Sequence, residues 1–162
     1  LFIDDASEAG AAVAPALAEF RGVATAPLRI LRFPQRQHYS RGLACALSLC
    51  MGDALFISHD MLLPPECVQA MVAVKDSDTT FGIVRATSPY VDGFPEHVLQ
   101  PATPIRNYEE LRQFSRQVWG TFGAGSVEDA FLTGDVMLLR REVMDAIGVV
   151  DPRFFGYFGA VD

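Results

Sequence analysis

Short apolar runs, with the turns between elements marked by Asp, Gly or Pro, alternate along this chain with stretches of helical spacing. This alternation restricts the fold to an α/β class with a largely parallel sheet flanked by helices. Residues 1–3 read as the end of a buried strand, 8–20 as an Ala-rich helix that contains Pro15, and 28–33 as the next strand. Ser40 is placed to cap a helix running to residue 51, because a serine hydroxyl accepts from the orphan N–H groups of a first turn. A buried strand at 54–57 follows, then a helix opened by Pro64 and Pro65 and running through 73, then a strand at 81–84. Residues 85–104 contain Pro89, Gly93, Pro95, Pro101 and Pro104, too many breakers for a regular element, and long ordered loops in compact domains commonly carry function. Helical spacing returns over 107–122 with Leu111, Phe114, Val118 and Trp119 on one face. Gly123, Gly125 and Ser126 then form a hinge before a last strand at 132–139.

With 162 residues, 50% hydrophobic and 20% charged, the chain suits one domain with a real core and is too apolar for a disordered segment. Its net charge of −7 argues against a nucleic-acid surface, which needs Lys and Arg to replace phosphate counterions. A nucleoside diphosphate stays compatible, since one metal ion and a few backbone N–H groups offset its charge locally. The three cysteines, Cys45, Cys50 and Cys67, form no C-x-x-C pair and are odd in number, which fits small core residues in a reducing compartment. No apolar run reaches the length of a membrane span, so a soluble, cytoplasmic protein is expected. LFIDD reads as the second half of a strand, so the chain is expected to be a piece of a longer one that lacks the first strand.

Four stretches carry candidate chemistry. Ile3-Asp4-Asp5-Ala6-Ser7 ends a strand, where open α/β sheets bind ligands and a carboxylate can accept the imide N–H of a pyrimidine. Ser40-Arg41-Gly42-Leu43-Ala44 opens a helix near Arg36, and a guanidinium there can meet a diphosphate in bidentate geometry. Phe56-Ile57-Ser58-His59-Asp60 follows a buried strand and offers a hard anionic oxygen from Asp60, with Ser58 a weaker neutral one. The fourth stretch runs from Leu132 through Gly134 and Asp135 to the aromatic residues Phe154, Phe155, Tyr157 and Phe158 and to Gly159-Ala160-Val161-Asp162. Each stretch also has a plain structural explanation: Asp4 and Asp5 as turn and cap groups, the arginines as solvated surface, His59 as a turn residue, and the aromatics as core.

Taken in order, these stretches resemble the catalytic domain of glycosyltransferase family 2 and cover nearly all of the chain. The resemblance implies a GT-A, Rossmann-like nucleotide-binding domain that is incomplete at both ends. Residues 1–84 would form its nucleotide-sugar part and 85–162 its acceptor-side part. It implies inverting transfer of a sugar from a UDP- or dTDP-sugar to an acceptor hydroxyl on a glycan, a lipid-linked glycan or a protein, assisted by Mn²⁺ or Mg²⁺. Asp4, Asp5, Ser7 and Arg41 would contact the nucleotide, Ser58 and Asp60 the metal, and His59, Gly134 and Asp135 the sugar or acceptor. The family's motif places the catalytic base at Ala160, where this chain has no carboxylate, with Asp162 in a supporting acidic position. The family's Asn at Ala44 and first metal-binding Asp at Ser58 are also replaced. A non-catalytic nucleotide-sugar or glycan-binding module descended from such an enzyme is the alternative.

Overall fold

The computed structural model describes residues 1–8, 10–87, 99–123, 125–129, 132–151 and 153. It has two compact units: residues 1–50 with the described residues from Val149 onward, and Met51–Gly148.

The first unit is a β-α-β arrangement. β1 (Phe2–Asp4) and β2 (Ile30–Arg32) pair in parallel with Asp4 opposite Arg32, joined by α1 (Gly10–Val23). A parallel pair needs such a crossover, and the Ala-rich 8–20 stretch supplies it. α2 (His38–Ser48) buries Leu43, Ala44 and Leu47. Its start differs from the expectation. Ser40 lies inside the first turn and is fully buried, while Gln37 holds the cap position without a side-chain cap bond. Asp5 does the capping from across the fold, accepting from the Gln37 N–H at 2.6 Å and the His38 N–H at 2.9 Å. A carboxylate at a helix N-terminus satisfies orphan donors and meets the positive end of the dipole.

The second unit holds β3 (Ala54–Ile57), α3 (Pro65–Ser77), β4 (Ile83–Arg85), α4 (Tyr108–Phe122), β5 (Val136–Leu139) and α5 (Arg141–Ile147). Its sheet has the order β3-β5-β4, and β5 is antiparallel to both neighbours. The α/β class therefore holds, but in place of a largely parallel sheet the described residues form one parallel pair in the first unit and, in the second, a three-stranded sheet whose pairings are antiparallel. β3 and β4, joined through α3, run the same way, and β5 returns between them. A run such as VMLL, buried on both faces, announces a central strand without announcing its direction. All four β5 residues are buried, and Met71 of α3 packs against Val136 and Leu138 with Met61, Leu63, Cys67, Val84 and Ala86 around them.

Polar bonds fasten one end of this sheet. The Arg140 guanidinium donates to the carbonyls of Lys75, Asp78 (3.2 Å) and Phe81 (3.1 Å), closing the C-terminal end of α3 and the turn after it. Asp53, just before β3, accepts from the Arg141 N–H at 2.8 Å and pairs with the buried Lys75 ammonium at 2.8 Å. α4 begins at Asn107, whose side chain accepts from the Glu110 N–H, while the Glu110 carboxylate accepts from the Arg106 N–H, both at short range (2.9 and 2.8 Å). It ends at Gly123, whose φ of 57° lies in the left-handed region.

Candidate functional site

The candidate residues fall into two groups, one in each unit. In the first, Asp4 is buried at the end of β1. Its Oδ1 accepts from the Ser7 N–H at 2.9 Å, and its Oδ2 lies 3.5 Å from the Arg32 Nε. The Ser7 backbone N–H holds this carboxyl below its ordinary range, with the Ser7 hydroxyl and the Arg32 charge adding to the effect. The group is thus ionised near neutrality and still has lone pairs to offer a further donor. Beside it lies a cavity of about 250 Å³ lined by Asp4, Val13, Leu17, Arg21, Ile30 and Arg32. Ser7 is exposed and also accepts from Arg32 through its carbonyl at 3.1 Å. Arg41 is exposed on the first turn of α2, and Asp5 is engaged in holding that helix start.

The second group gathers at the edge of the three-stranded sheet where β3 and β4 end and β5 begins. The Ser58 N–H donates to the Asp135 carbonyl at 2.8 Å, which extends the β3–β5 ladder by one bond and sets the Ser58 segment against the Gly134-Asp135 segment. A turn then closes as the Met61 N–H reaches the Ser58 carbonyl at 3.1 Å, leaving His59 and Asp60 exposed. Motifs separated by about 75 residues in the sequence are thereby brought to one place.

Two residues not singled out from the sequence complete this edge. Arg85, at the end of β4 with a side chain only 8% exposed, donates to the Thr133 hydroxyl, and its Nη1 lies 3.6 Å from Asp135 Oδ1. Thr133 in turn donates to that same Oδ1 at 2.6 Å. The other carboxylate oxygen, Asp135 Oδ2, is shut off from solvent and receives no hydrogen bond. A sequence signal for Arg85 existed: it is a charge directly after the apolar pair Ile83-Val84, at the last residue of β4. Thr133 sits two residues before Asp135, close enough for its hydroxyl to reach Asp135 Oδ1.

A divalent ion finds an uneven donor set here. Among the described residues no three His, Cys, Asp or Glu side chains cluster to hold a metal. The donors of the β3 turn are one exposed carboxylate, Asp60, and one neutral hydroxyl, Ser58. That set does not fit a resident ion held by protein alone. It does fit an Mg²⁺-like cation that arrives with phosphate oxygens, keeps several waters and needs only one or two carboxylates.

Ala160 and Asp162, and the aromatics Phe154, Phe155, Tyr157 and Phe158, lie outside the described residues. No described helix is long and apolar enough to cross a membrane. Comparison with protein-family profiles, curated proteins and solved structures finds no match to this chain.

Proposed function

We propose that the chain is part of a GT-A, Rossmann-like glycosyltransferase that takes its sugar from a uridine or thymidine diphosphate donor in the cytoplasm. The observation that carries this reading is the edge of the second unit, where the Ser58–Asp60 turn and the Gly134-Asp135 segment meet through the Ser58–Asp135 bond. The ionised Asp4 beside its cavity supports a pyrimidine site, because a carboxylate there can accept the ring imide N–H.

Within the first unit this reading assigns Asp4 and Ser7 to the base of a nucleotide and Arg41 to a phosphate; within the second it assigns to Asp60 the one anionic oxygen for a cation carried in with phosphate. Such a cation, when bound, offsets the charge that grows on the leaving diphosphate. Asp5 is assigned to fold stability instead, since both its oxygens are engaged at the start of α2. Attack by an acceptor hydroxyl needs a base, and Ala160 holds the position where the family motif puts one. That substitution favours the second reading, a nucleotide-sugar-binding module that has kept the donor site without the base.

A thermal-shift titration of the intact protein tests the shared part of both readings. UDP with Mn²⁺ should stabilise, UDP alone should stabilise less, and Asp60→Ala should abolish the difference. Equal stabilisation by ATP, or none by millimolar UDP, refutes the donor site.

A further inference from the structure

The two carboxylates at the end of β1 face different parts of the first unit. Asp4 turns to Ser7 and Arg32 beside the cavity. Asp5 reaches across 32 and 33 positions of the chain to the start of α2, where it accepts from the Gln37 N–H at 2.6 Å and the His38 N–H at 2.9 Å. Gln37 holds the cap position there and makes no side-chain cap bond of its own.

Backbone strain lies at both ends of this link. Among the described residues, Ala6 (φ 55°) and His38 (φ 65°) are the non-glycine residues in the left-handed region; Ala6 follows Asp5 in the chain, and His38 donates to it. A Ser, Asp or Asn at the cap position would satisfy the helix start locally, with no distant partner. Strained residues at both ends of one long-range bridge oppose folding, and stability of the helix start alone leaves them unexplained. What the bridge adds is placement. The 4–7 turn is held on its other side by the Arg32 guanidinium, which donates to the Ser7 carbonyl at 3.1 Å. Arg41 lies on the first turn of α2, three residues beyond His38. One carboxylate therefore ties the turn that carries Asp4 and Ser7 to the turn that carries Arg41.

We propose that Asp5 is a positioning residue, which acts through the first turn of α2 to fix where Arg41 stands relative to Asp4 and Ser7, so that base and phosphate are met together. The assignment rests on the nucleotide reading of the first unit and gives Asp5 no contact with the nucleotide itself. The sign of its effect separates it from simple electrostatics. Removing a negative charge near a phosphate strengthens anion binding by Coulomb attraction, whereas loss of the bridge weakens it.

Calorimetry on the intact protein, with Mn²⁺ present throughout, tests this with uridine and UDP as probes. Asp5→Asn keeps one acceptor oxygen and turns an NH₂ group toward the other N–H, so it should weaken UDP about 10-fold while leaving uridine within about twofold. Arg41→Ala should weaken UDP to a similar extent, and the double variant should lose no more than about twofold beyond Arg41→Ala, because the two residues serve one contact. If Asp5→Asn fails to fold, Asp5→Glu carries the same comparison, since it keeps the charge and both acceptors but displaces them by one methylene. A lower melting temperature with an unchanged UDP-to-uridine ratio, tighter UDP binding, equal weakening of both probes or additive losses in the double variant each overturn the assignment and leave the nucleotide site standing. A wild type that binds neither uridine nor UDP removes the nucleotide reading itself, and this assignment with it.

Discussion

Replacing Arg140 by Met isolates the contribution of its guanidinium, because Met keeps much of the aliphatic stem and removes every donor. In the structure that guanidinium serves three carbonyls. Those of Lys75 and Phe81 are reached in partly buried surroundings, and that of Asp78 at an exposed position. An exposed bond is readily replaced by water, so the cost is carried by the first two. Because both sites are only partly buried, each of these bonds is taken at about 1 to 1.5 kcal/mol, the upper part of the net range for an ordinary hydrogen bond. The cation near the C-terminal end of α3 adds about 0.3 to 1 kcal/mol through the helix dipole. Arg140→Met should therefore destabilise by about 2 to 4 kcal/mol. In urea, at a slope of about 2 kcal/mol per molar, the middle of the usual range, the midpoint should fall by roughly 1 to 2 M at unchanged slope. Arg140→Lys should recover less than half of the loss, since one ammonium cannot span carbonyls on both sides of the α3–β4 turn. A loss below about 0.5 kcal/mol in Arg140→Met, the scale of an ordinary surface change, would refute the claim that this side chain closes the end of α3.

Three further outcomes can be measured. A Cβ on Gly82 would come within 2.7 Å of Val143 Cγ2, so Gly82→Ala should cost about 1 to 3 kcal/mol, and the double change with Val143→Ala should cost less than the two single changes summed. Lys75 and the Arg141 N–H hold Asp53 below its ordinary value of 3.8, so its contribution is full above that value and is lost as the pH falls through the lowered one. Asp53 and Asp76 hold Lys75 above 10.5, so its contribution is full below that value and is lost as the pH rises through the raised one. Melting temperatures of Asp53→Asn should lie below the wild type across the neutral range and converge with it at the acid extreme, and parallel curves at every pH would contradict this. Ala160→Asp in the intact protein should raise transfer or donor hydrolysis by about 10² or more with UDP affinity unchanged. An unchanged rate combined with abolition by Asp162→Asn would move the base to Asp162.

What the sequence disclosed follows the range of the interactions involved. The strand at 54–57 is found where four apolar residues stand between Asp53 and Ser58, and α4 where helical spacing returns from Asn107 with an apolar face. These signals lie within a few residues of the structure they specify. Asp5 at the start of α2 was not legible as a cap because it lies more than 30 residues from the N–H groups it accepts. Ser40 looked like the cap and is instead fully buried. The direction of β5 was hidden for a related reason, since a strand buried on both faces reads the same in either orientation. At the site, Ser58, Asp60 and Asp135 stood out as polar residues next to apolar runs, but the link between them depends on the pairing of β3 with β5. Arg85 entered only with the Thr133 hydroxyl, a contact across 48 positions.

Placing β5 between β3 and β4 also fixes an order of events during synthesis. The two outer strands do not pair with each other, so both wait for a central strand that is made after α4. At about 5–20 residues per second, the stretch from Arg85 to Leu139 takes roughly 3 to 10 s to emerge. Throughout that interval β3 and β4 expose unpaired edges, with Leu55, Ile57 and Ile83 among their exposed apolar side chains even in the finished fold. The nascent second unit is therefore most open to mispairing with other chains in those seconds, and slower elongation between Arg85 and Leu139 would lengthen its exposure to chaperones and to aggregation alike.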